Sequence, residues 1–406
     1  MAKIIPFKAV RPSRDKVSLV TSRSYEEYSP AELAAQLDYN PLSFLHVLNP
    51  AYTNQQKTAF EKRFRQVHKK YDEFKKENIL IQDQNPSIYI HRIITNGNTF
   101  TGIIAAASIE DYKSNVIKTH EDTLQYRVEL FKDYIHYAGF NTEPVLMTYP
   151  DNEKVENWMA EKMKAVADFE FSTTRQDIHY LWKIDDQKEI SYIQDLFAQI
   201  ANLYIADGHH RSASAEMLYD EDTPDIGESK NSFMSFLISD SNVSIYEYNR
   251  LIKDLNGLTK AEFLKRLSAD FLIEIKSQQQ FSPAGKHHFG MYLDFEFYAL
   301  TLKIEKNNFK TVLDSLDAQI LYDKVLLPIL GIEDLRNDER IEYIHGKQSV
   351  LDIKAKIDSG EFELGFVLFP TDISQIKMIA DAHLTMPPKS TYIEPKFRSG
   401  LVVYEL

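Results

Sequence analysis

The segment Ile205-Ala-Asp-Gly-His-His-Arg211 collects side chains that can handle phosphate. Residues 203–206 are apolar and predict a short buried strand, and residues 211–218 predict a helix. A strand that ends in glycine and opens into a helix offers backbone N–H groups and the positive end of a helix dipole to an anion. Arg211 adds a bidentate phosphate ligand, and Asp207 with the two imidazoles adds proton transfer. We therefore predict an anion site; the alternative is a capped turn with solvated His and Arg side chains.

Two other segments are more polar than a scaffold requires. Residues 120–123, His-Glu-Asp-Thr, lie at the start of a helix that we predict up to residue 138, where acidic side chains suit the helix dipole but can also serve a site. Residues 386–400 combine prolines, a glycine, hydroxyls and cations just before a predicted terminal strand. The alternatives are an ordinary helix start and a proline-stiffened surface loop. The candidate phosphate ligands in the second segment are Lys389, Ser390, Thr391, Lys396 and Arg398.

Composition restricts the class of protein and its partners. The 406-residue chain has a formal net charge of −13, so we expect no nucleic-acid partner, because such binding needs clustered Lys and Arg. No apolar run approaches the roughly 18 residues that span a bilayer, and the first residues lack the apolar core of a signal peptide. We therefore expect a cytoplasmic protein without a membrane partner. The absence of cysteine excludes thiol chemistry, and neither a P-loop nor a GxGxxG motif is present.

The succession of predicted helices and strands indicates an α+β fold, with mixed sheets and flanking helices arranged in two lobes. We place the N-terminal α/β lobe, which carries the Asp207 turn, at residues 1–255. The C-terminal lobe spans residues 256–406, and we expect its last loop to return to the site. Asn96-Gly97 predicts a hairpin between two β-rich runs. Residues 233–238 and 243–252 predict a second hairpin.

These segments together resemble a bacterial and archaeal family catalogued as domain of unknown function 1015. The resemblance covers nearly the whole chain: residues 6–12, 25–26, 40–41, 120–123, 205–211, 386–391 and 395–401. Near Tyr25 the family usually has Pro-Pro-Tyr-Asp, whereas this chain has Arg23-Ser-Tyr-Glu26, so we assign no role to Glu26. The family itself implies no activity.

The Asp-Gly-His-His-Arg turn is also similar to the phosphate-binding turn of ParB/sulfiredoxin-like folds, which include free-serine kinases and CTP-binding ParB clamps. This similarity implies a ParB/sulfiredoxin-like core in the N-terminal lobe. Sulfiredoxin chemistry is excluded because it requires a cysteine in the turn. The resemblance therefore implies a nucleotide-dependent phosphotransferase that acts on a small hydroxyl metabolite, with serine as the example.

In this hypothesis ATP or ADP is the nucleotide, and Asp207 holds Mg²⁺ or a substrate ammonium group. Glu121 is the general base, with His209 or His210 as the alternative. The competing hypothesis is a regulatory protein that binds a nucleotide or phosphometabolite and performs no chemistry. The sequence does not predict the oligomeric state. The phosphate and nucleotide ligands are then Gly208, Arg211, His120 and the five residues of the 386–400 segment.

Overall fold

The computed structural model describes residues 1–52, 59–221, 228–306, 309–348 and 350–406. This part of the chain divides into two compact units. The first unit contains Met1–Thr119, Thr123–Val243 and Pro395–Leu406, and the second contains His120–Asp122 and Ser244–Glu394. Helices accompany a mixed sheet in the first unit, which confirms the predicted α+β class. The lobe boundary between residues 255 and 256 stays a prediction.

Nine strands of the described chain form one mixed sheet in the first unit. Val145–Tyr149 runs parallel to Ser232–Ser239, and Leu203–Asp207 runs parallel to Ile117–Lys118, while the other neighbours are antiparallel. In order across the sheet the strands are Ile117–Lys118, Leu203–Asp207, Val145–Tyr149, Ser232–Ser239, Asn98–Ser108, Ile88–Thr95, Ile178–Ile184 and Phe169–Ser172, with Ile4–Ile5 beside Asn98–Ser108. Separate pairs join Val10–Pro12 to Leu80–Gln82 and Phe140–Asn141 to Tyr404–Glu405.

The helices of the first unit bury two apolar clusters. Ile205 and Met147 of the sheet belong to one cluster, together with Phe197 of a covering helix. A second cluster forms where helix Phe60–Lys76 buries aromatic side chains at helical spacing, and burial of such side chains is the main driving force for folding. The α-helices are Val17–Val20, Pro30–Tyr39, Leu45–Tyr52, Phe60–Lys76, Ile109–Lys113, Gln125–Ala138, Glu153–Lys162, Gln187–Phe197 and His209–Asp220, and the 3₁₀ helices are Tyr25–Glu27, Glu228–Asn231 and Asp240–Asn242.

Of the two predicted hairpins, one is confirmed and the other is wrong. Asn96 and Gly97 have φ values of 49° and 80° and join the paired strands Ile88–Thr95 and Asn98–Ser108, as a type I′ turn requires. Ser232–Ser239, in contrast, pairs with two strands far away in sequence. The residues that follow it enter the second unit, where they form other pairs.

The second unit is built on an antiparallel sheet of six strands in its described part. Its apolar core lies between this sheet and the helices. Thr259 and Glu262 form a capping box at the start of helix Lys260–Leu267. The strands are, in order, Phe271–Ser277, Glu296–Leu302, His288–Leu293, Leu364–Val367, Tyr248–Ile252 and Ile341–His345, beside the pair Ser244–Tyr246 and Tyr392–Glu394. The helices are Lys260–Leu267, Asp317–Leu321, Val350–Asp358 and Ile373–Asp381, with short 3₁₀ turns at Ile304–Lys306 and Leu313–Ser315 and a π-helical turn at Tyr322–Leu326.

The strand and helix predicted around residue 207 are confirmed as Leu203–Asp207 and His209–Asp220. The helix predicted from residue 120 begins later, at Gln125. Residues 120–122 belong to the second unit instead, and the chain returns to the first unit at Thr123. Within the described ranges, no helix has both the length and the apolar character that a membrane span needs.

Candidate functional site

The turn after strand Leu203–Asp207 depends on a glycine. Gly208 has φ 102° and ψ 27° and is the residue before helix His209–Asp220. This positive φ is strained for any residue with a Cβ atom. A Cβ atom on Gly208 would also lie 3.0 Å from the Arg211 Nε atom. The glycine therefore lets the chain reverse tightly and lets the Arg211 guanidinium pack against the backbone at the positive end of the helix dipole.

The Arg211 side chain connects the turn to the neighbouring strand. One terminal nitrogen donates to the Asp207 Oδ2 atom at 2.7 Å, and the other donates to the carbonyl oxygen of Pro144 at 2.7 Å. The second nitrogen also lies 3.8 Å from the Glu143 carboxylate. Two hydrogen-bond acceptors and the nearby Glu143 carboxylate thus hold the guanidinium, a planar group whose donors can match the oxygens of a phosphate.

A second cation reaches the turn from the end of the chain. Lys396 donates from Nζ to the Asp207 Oδ1 atom at 3.2 Å, across 189 residues of sequence. Desolvation raises the pKa of Asp207, but Lys396 and Arg211 outweigh it and lower the pKa to about 2. Asp207 is therefore ionised at neutral pH, and its negative charge holds two cations in one place.

The two histidines of the turn have different surroundings. His209 is only 2% exposed and lies inside the first unit. His210 accepts a hydrogen bond at its Nε2 atom from the backbone N–H of Leu124, at 3.1 Å. This bond requires that Nε2 carry no proton, and it places His210 at the start of helix Gln125–Ala138. The roles of both histidines in proton transfer stay predictions.

The segment after Lys396 contacts the beginning of the chain. Arg398 donates to the side-chain oxygen of Thr21 at 3.0 Å and to its carbonyl oxygen at 2.5 Å, and burial lowers the pKa of Arg398. The backbones of Ser22 and Ser399 form a bridge with two hydrogen bonds. The structure thus brings Lys396 onto the turn, whereas Arg398 stabilises a neighbouring segment.

Two carboxylates near the turn were not predicted from the sequence. Glu143 accepts a hydrogen bond from the Ser399 hydroxyl at 2.8 Å and lies beside Arg211. Glu27 ends the short helix Tyr25–Glu27. Desolvation by the surrounding protein raises the pKa of Glu27, although Arg23 and Lys396 partly oppose this effect.

The sequence pointed to the neighbourhood of only one of these two residues. The family resemblance at residues 25–26 marked the neighbourhood of Glu27, but it pointed to the preceding acid. Glu143 had no such signal, because neither its residue type nor its spacing distinguishes it from other surface acids. Its place beside Arg211 depends on the pairing of two distant segments.

The remaining predicted residues lie in the second unit, which brings two segments together. The backbone N–H of Met386 donates to the carbonyl oxygen of His120 at 2.9 Å. Arg336 lies 3.5 Å from the Asp122 carboxylate and donates to its carbonyl oxygen at 3.3 Å. Glu121 is exposed and His120 is buried.

The loop around Lys389 is tightly built. Lys389 has a φ of 55°, and Ser390, which is 7% exposed, donates from its hydroxyl to the Pro387 carbonyl oxygen at 2.6 Å. Thr391 is half-buried. The predicted contact of Lys389, Ser390 and Thr391 with phosphate stays a prediction.

The donor set around Asp207 does not suit a divalent metal ion in the observed arrangement. Each oxygen of the carboxylate already accepts from a cation, Arg211 or Lys396. Across the described residues, no group of three His, Asp or Glu side chains has a geometry that could hold a metal ion. Magnesium at Asp207 stays a prediction, and it requires that the ion displace one of these two cations.

Comparisons with known proteins identify the family. The family model described as "Protein of unknown function (DUF1015)" matches residues 4–319. The chain belongs to this family, which confirms the resemblance found in the sequence. No curated protein matches the chain.

Several solved structures are similar to parts of the chain. A free serine kinase in complex with AMP has 15% identity and a TM-score of 0.36, covering 73% of this chain and 88% of that one. A variant of a free serine kinase in complex with ADP has 14% identity and a TM-score of 0.36, covering 75% and 91%. SbnI with a C-terminal truncation, from Staphylococcus aureus, has 13% identity and a TM-score of 0.38, covering 73% and 84%.

Proposed function

We propose that the protein is a nucleotide-dependent phosphotransferase that acts on the hydroxyl group of a small metabolite. One observation carries the proposal: Arg211 and Lys396, from distant parts of the chain, meet on the Asp207 carboxylate beside the start of a helix. Two cations and a helix dipole stabilise negative charge, and phosphoryl transfer depends mainly on such stabilisation and on positioning. In this proposal Arg211 and Lys396 hold the transferring phosphoryl group, with ATP or ADP as the donor.

Asp207 has an indirect part in the proposed reaction. Its carboxylate keeps the two cations close together before the nucleotide binds, and its low pKa keeps it charged. When phosphate oxygens arrive, Arg211 and Lys396 exchange a carboxylate oxygen for a phosphate oxygen. Magnesium would enter with the nucleotide phosphates and supply further neutralisation of their charge.

The hydroxyl substrate also needs a group that accepts its proton. In the first unit we propose Glu27 as this base. It interacts electrostatically with Lys396, and desolvation raises its pKa, which suits a group that accepts a proton. Glu121 keeps the same role as a prediction from the sequence, as do His209 and His210. In the reaction the substrate oxygen attacks the terminal phosphorus, the bond from that phosphorus to the nucleotide oxygen breaks, and the hydroxyl proton passes to the base.

The test is a search for the phosphorylated product. The full chain is incubated with Mg²⁺ and either ATP or ADP, against a panel of small alcohols that begins with L-serine, the amino acid for which the free serine kinases are named. The phosphorylated alcohol and the released ADP or AMP are measured by mass spectrometry. We expect the Arg211→Ala variant to lose at least 100-fold in rate, since it removes a charge-assisted phosphate contact in the transition state.

The substitutions Glu27→Gln and Glu121→Gln then identify the base. The variant that loses the base should lose kcat by about 100-fold or more while it keeps its affinity for the nucleotide. If no alcohol gives more product than the Arg211→Ala control, the protein is not a phosphotransferase for these substrates. Nucleotide binding that persists without turnover would instead support the regulatory hypothesis, in which neither carboxylate is needed.

A further inference from the structure

Arg250 is a buried cation of the second unit that the proposed function does not use. It lies on strand Tyr248–Ile252 of the six-stranded sheet and is 1% exposed. Its guanidinium donates to two carbonyl oxygens, that of Tyr248 and, at 3.2 Å, that of Lys389. The guanidinium carbon lies 5.4 Å from the centre of the Tyr343 ring. Among the described residues, the Nε atom of Arg250 has no hydrogen-bond partner.

Burying the Arg250 guanidinium in this way costs folding free energy. Removing a charge from water is unfavourable unless an opposite charge or a full set of hydrogen bonds compensates. Arg250 donates to carbonyl oxygens, and the Glu247 carboxylate interacts with it electrostatically, so its charge is partly compensated. An apolar side chain of similar volume would fill the same space at a lower cost. A buried arginine in such a place therefore indicates a task that an apolar residue cannot perform.

The backbone of Lys389, which accepts a hydrogen bond from Arg250, is itself strained. Lys389 has a φ of 55°, a conformation that residues with a Cβ atom rarely adopt. Its carbonyl oxygen is the acceptor for Arg250. On the N-terminal side the loop is attached to His120 through the N–H of Met386, and the Ser390 hydroxyl closes the turn onto the Pro387 carbonyl. The guanidinium thus contacts the backbone of the strained residue of this loop.

We infer that Arg250 is a positioning residue, which holds Lys389 in its left-handed conformation and thereby fixes the directions of the Lys389, Ser390 and Thr391 side chains. The partly compensated guanidinium also adds positive potential behind the loop, which favours an anionic ligand. The part of the inference that concerns ligand binding rests on the proposed function. The part that concerns the loop does not.

The experiment separates these two parts. Full-length wild type, Arg250→Met, Arg250→Lys, Lys389→Ala and the double variant Arg250→Met/Lys389→Ala are compared. In the variants that keep Lys389, limited trypsin digestion at the Lys389–Ser390 bond reports how often the loop opens, and cleavage after the exposed Lys188 in the first unit is the internal control. Titration with ADP reports binding. Because Arg250→Met can impair folding of the sheet, Arg250→Lys is a second variant that keeps the charge but lacks the second terminal nitrogen, which in Arg250 donates to the Lys389 carbonyl oxygen.

We expect cleavage after Lys389 to become roughly tenfold faster in both Arg250 variants, since one hydrogen bond from a charged donor contributes about that factor to local opening. Cleavage after Lys188 should not change. ADP affinity should fall as much in Arg250→Met as in Lys389→Ala, and no further in the double variant. An unchanged cleavage rate after Lys389 in folded Arg250→Lys would overturn the inference. If the wild type does not bind ADP, the proposed function fails while the cleavage rates still decide the role of Arg250.

Discussion

Replacing Gly208 with alanine tests whether the shape of the turn, and not only its charge, binds phosphate. Residues with a Cβ atom lose roughly 1–2 kcal/mol at a positive φ such as the 102° of Gly208. The new Cβ atom would also meet the Arg211 Nε and Cζ atoms at 3.0 and 3.1 Å. Because the guanidinium is held at 2.7 Å from both Asp207 and Pro144, it can retreat only by lengthening these contacts.

The expected result is a loss of phosphate affinity in addition to the loss of folding stability that the backbone strain causes. A charge-assisted hydrogen bond contributes roughly 1.5–3 kcal/mol, so loss of about half of one such contact lowers ADP affinity roughly three- to tenfold. Isothermal titration of the full chain with ADP and with inorganic phosphate measures the affinity, and urea unfolding measures the stability. Both ligands should lose affinity by the same factor, because the contact is made to phosphate.

Gly97 provides a matched control for this substitution. It has a φ of 80° in the hairpin turn of the same unit, and a Cβ atom there would have nothing within 4 Å. Gly97→Ala therefore carries the backbone penalty without a displaced cation. Both variants should lose similar stability, whereas only Gly208→Ala should lose affinity. Equal ADP affinities for the two variants would refute the role that we assign to the position of Arg211.

Two further substitutions test the electrostatics of each unit. Lys396→Met should raise the pKa of Asp207 from about 2 toward its ordinary value of 3.8 and should weaken ADP binding several-fold; an NMR titration of the carboxyl group and calorimetry measure these effects, and an unchanged pKa would contradict the ion pair. Desolvation raises the pKa of Asp317 from 3.8 to about 6, which its hydrogen bond from the His287 N–H opposes only in part. The charged form is therefore unfavourable in the folded state, so the free energy of unfolding should fall as the pH rises from about 4 to 6 and stay low above that range. Asp317→Asn should then gain about 1–3 kcal/mol at pH 8 and nothing near pH 4, as urea unfolding would show; an equal gain at both pH values would contradict this explanation.

The sequence predicts local structure well where short-range chemistry decides it. Asn96-Gly97 forces a two-residue hairpin because both residues accept a positive φ, and the strands on either side follow. Short-range chemistry also decides the strand, glycine and helix around Asp207, because Gly208 accepts the positive φ of the turn. The second predicted hairpin was wrong because an apolar strand fits any apolar neighbour. The partners of Ser232–Ser239 were set by the assembly of the whole sheet.

The candidate site likewise has a part that local sequence predicts and a part that only tertiary contacts create. Asp207 and Arg211 are four residues apart at the start of one helix, so their ion pair follows from helix geometry. Lys396 was selected by residue type within a polar loop, but its contact with Asp207 depends on where the chain end packs. Glu27 and Glu143 were missed because an acid becomes significant only through its neighbours. Their environments arise from tertiary contacts that no spacing in the sequence records.

The net charge of −13 and a phosphate-binding turn are compatible because electrostatic interactions in salt solution have a short range. At physiological ionic strength the Debye length is about 8 Å. An anion at the Asp207 turn therefore interacts mainly with Arg211, Lys396, the helix dipole and the Asp207 carboxylate that the anion must displace, and little with distant surface acids. A nucleic acid, in contrast, extends over many Debye lengths, so we expect the net negative charge of the chain to oppose its binding. On this argument we expect a small phosphate ligand and no long polyanion, as the proposed function requires.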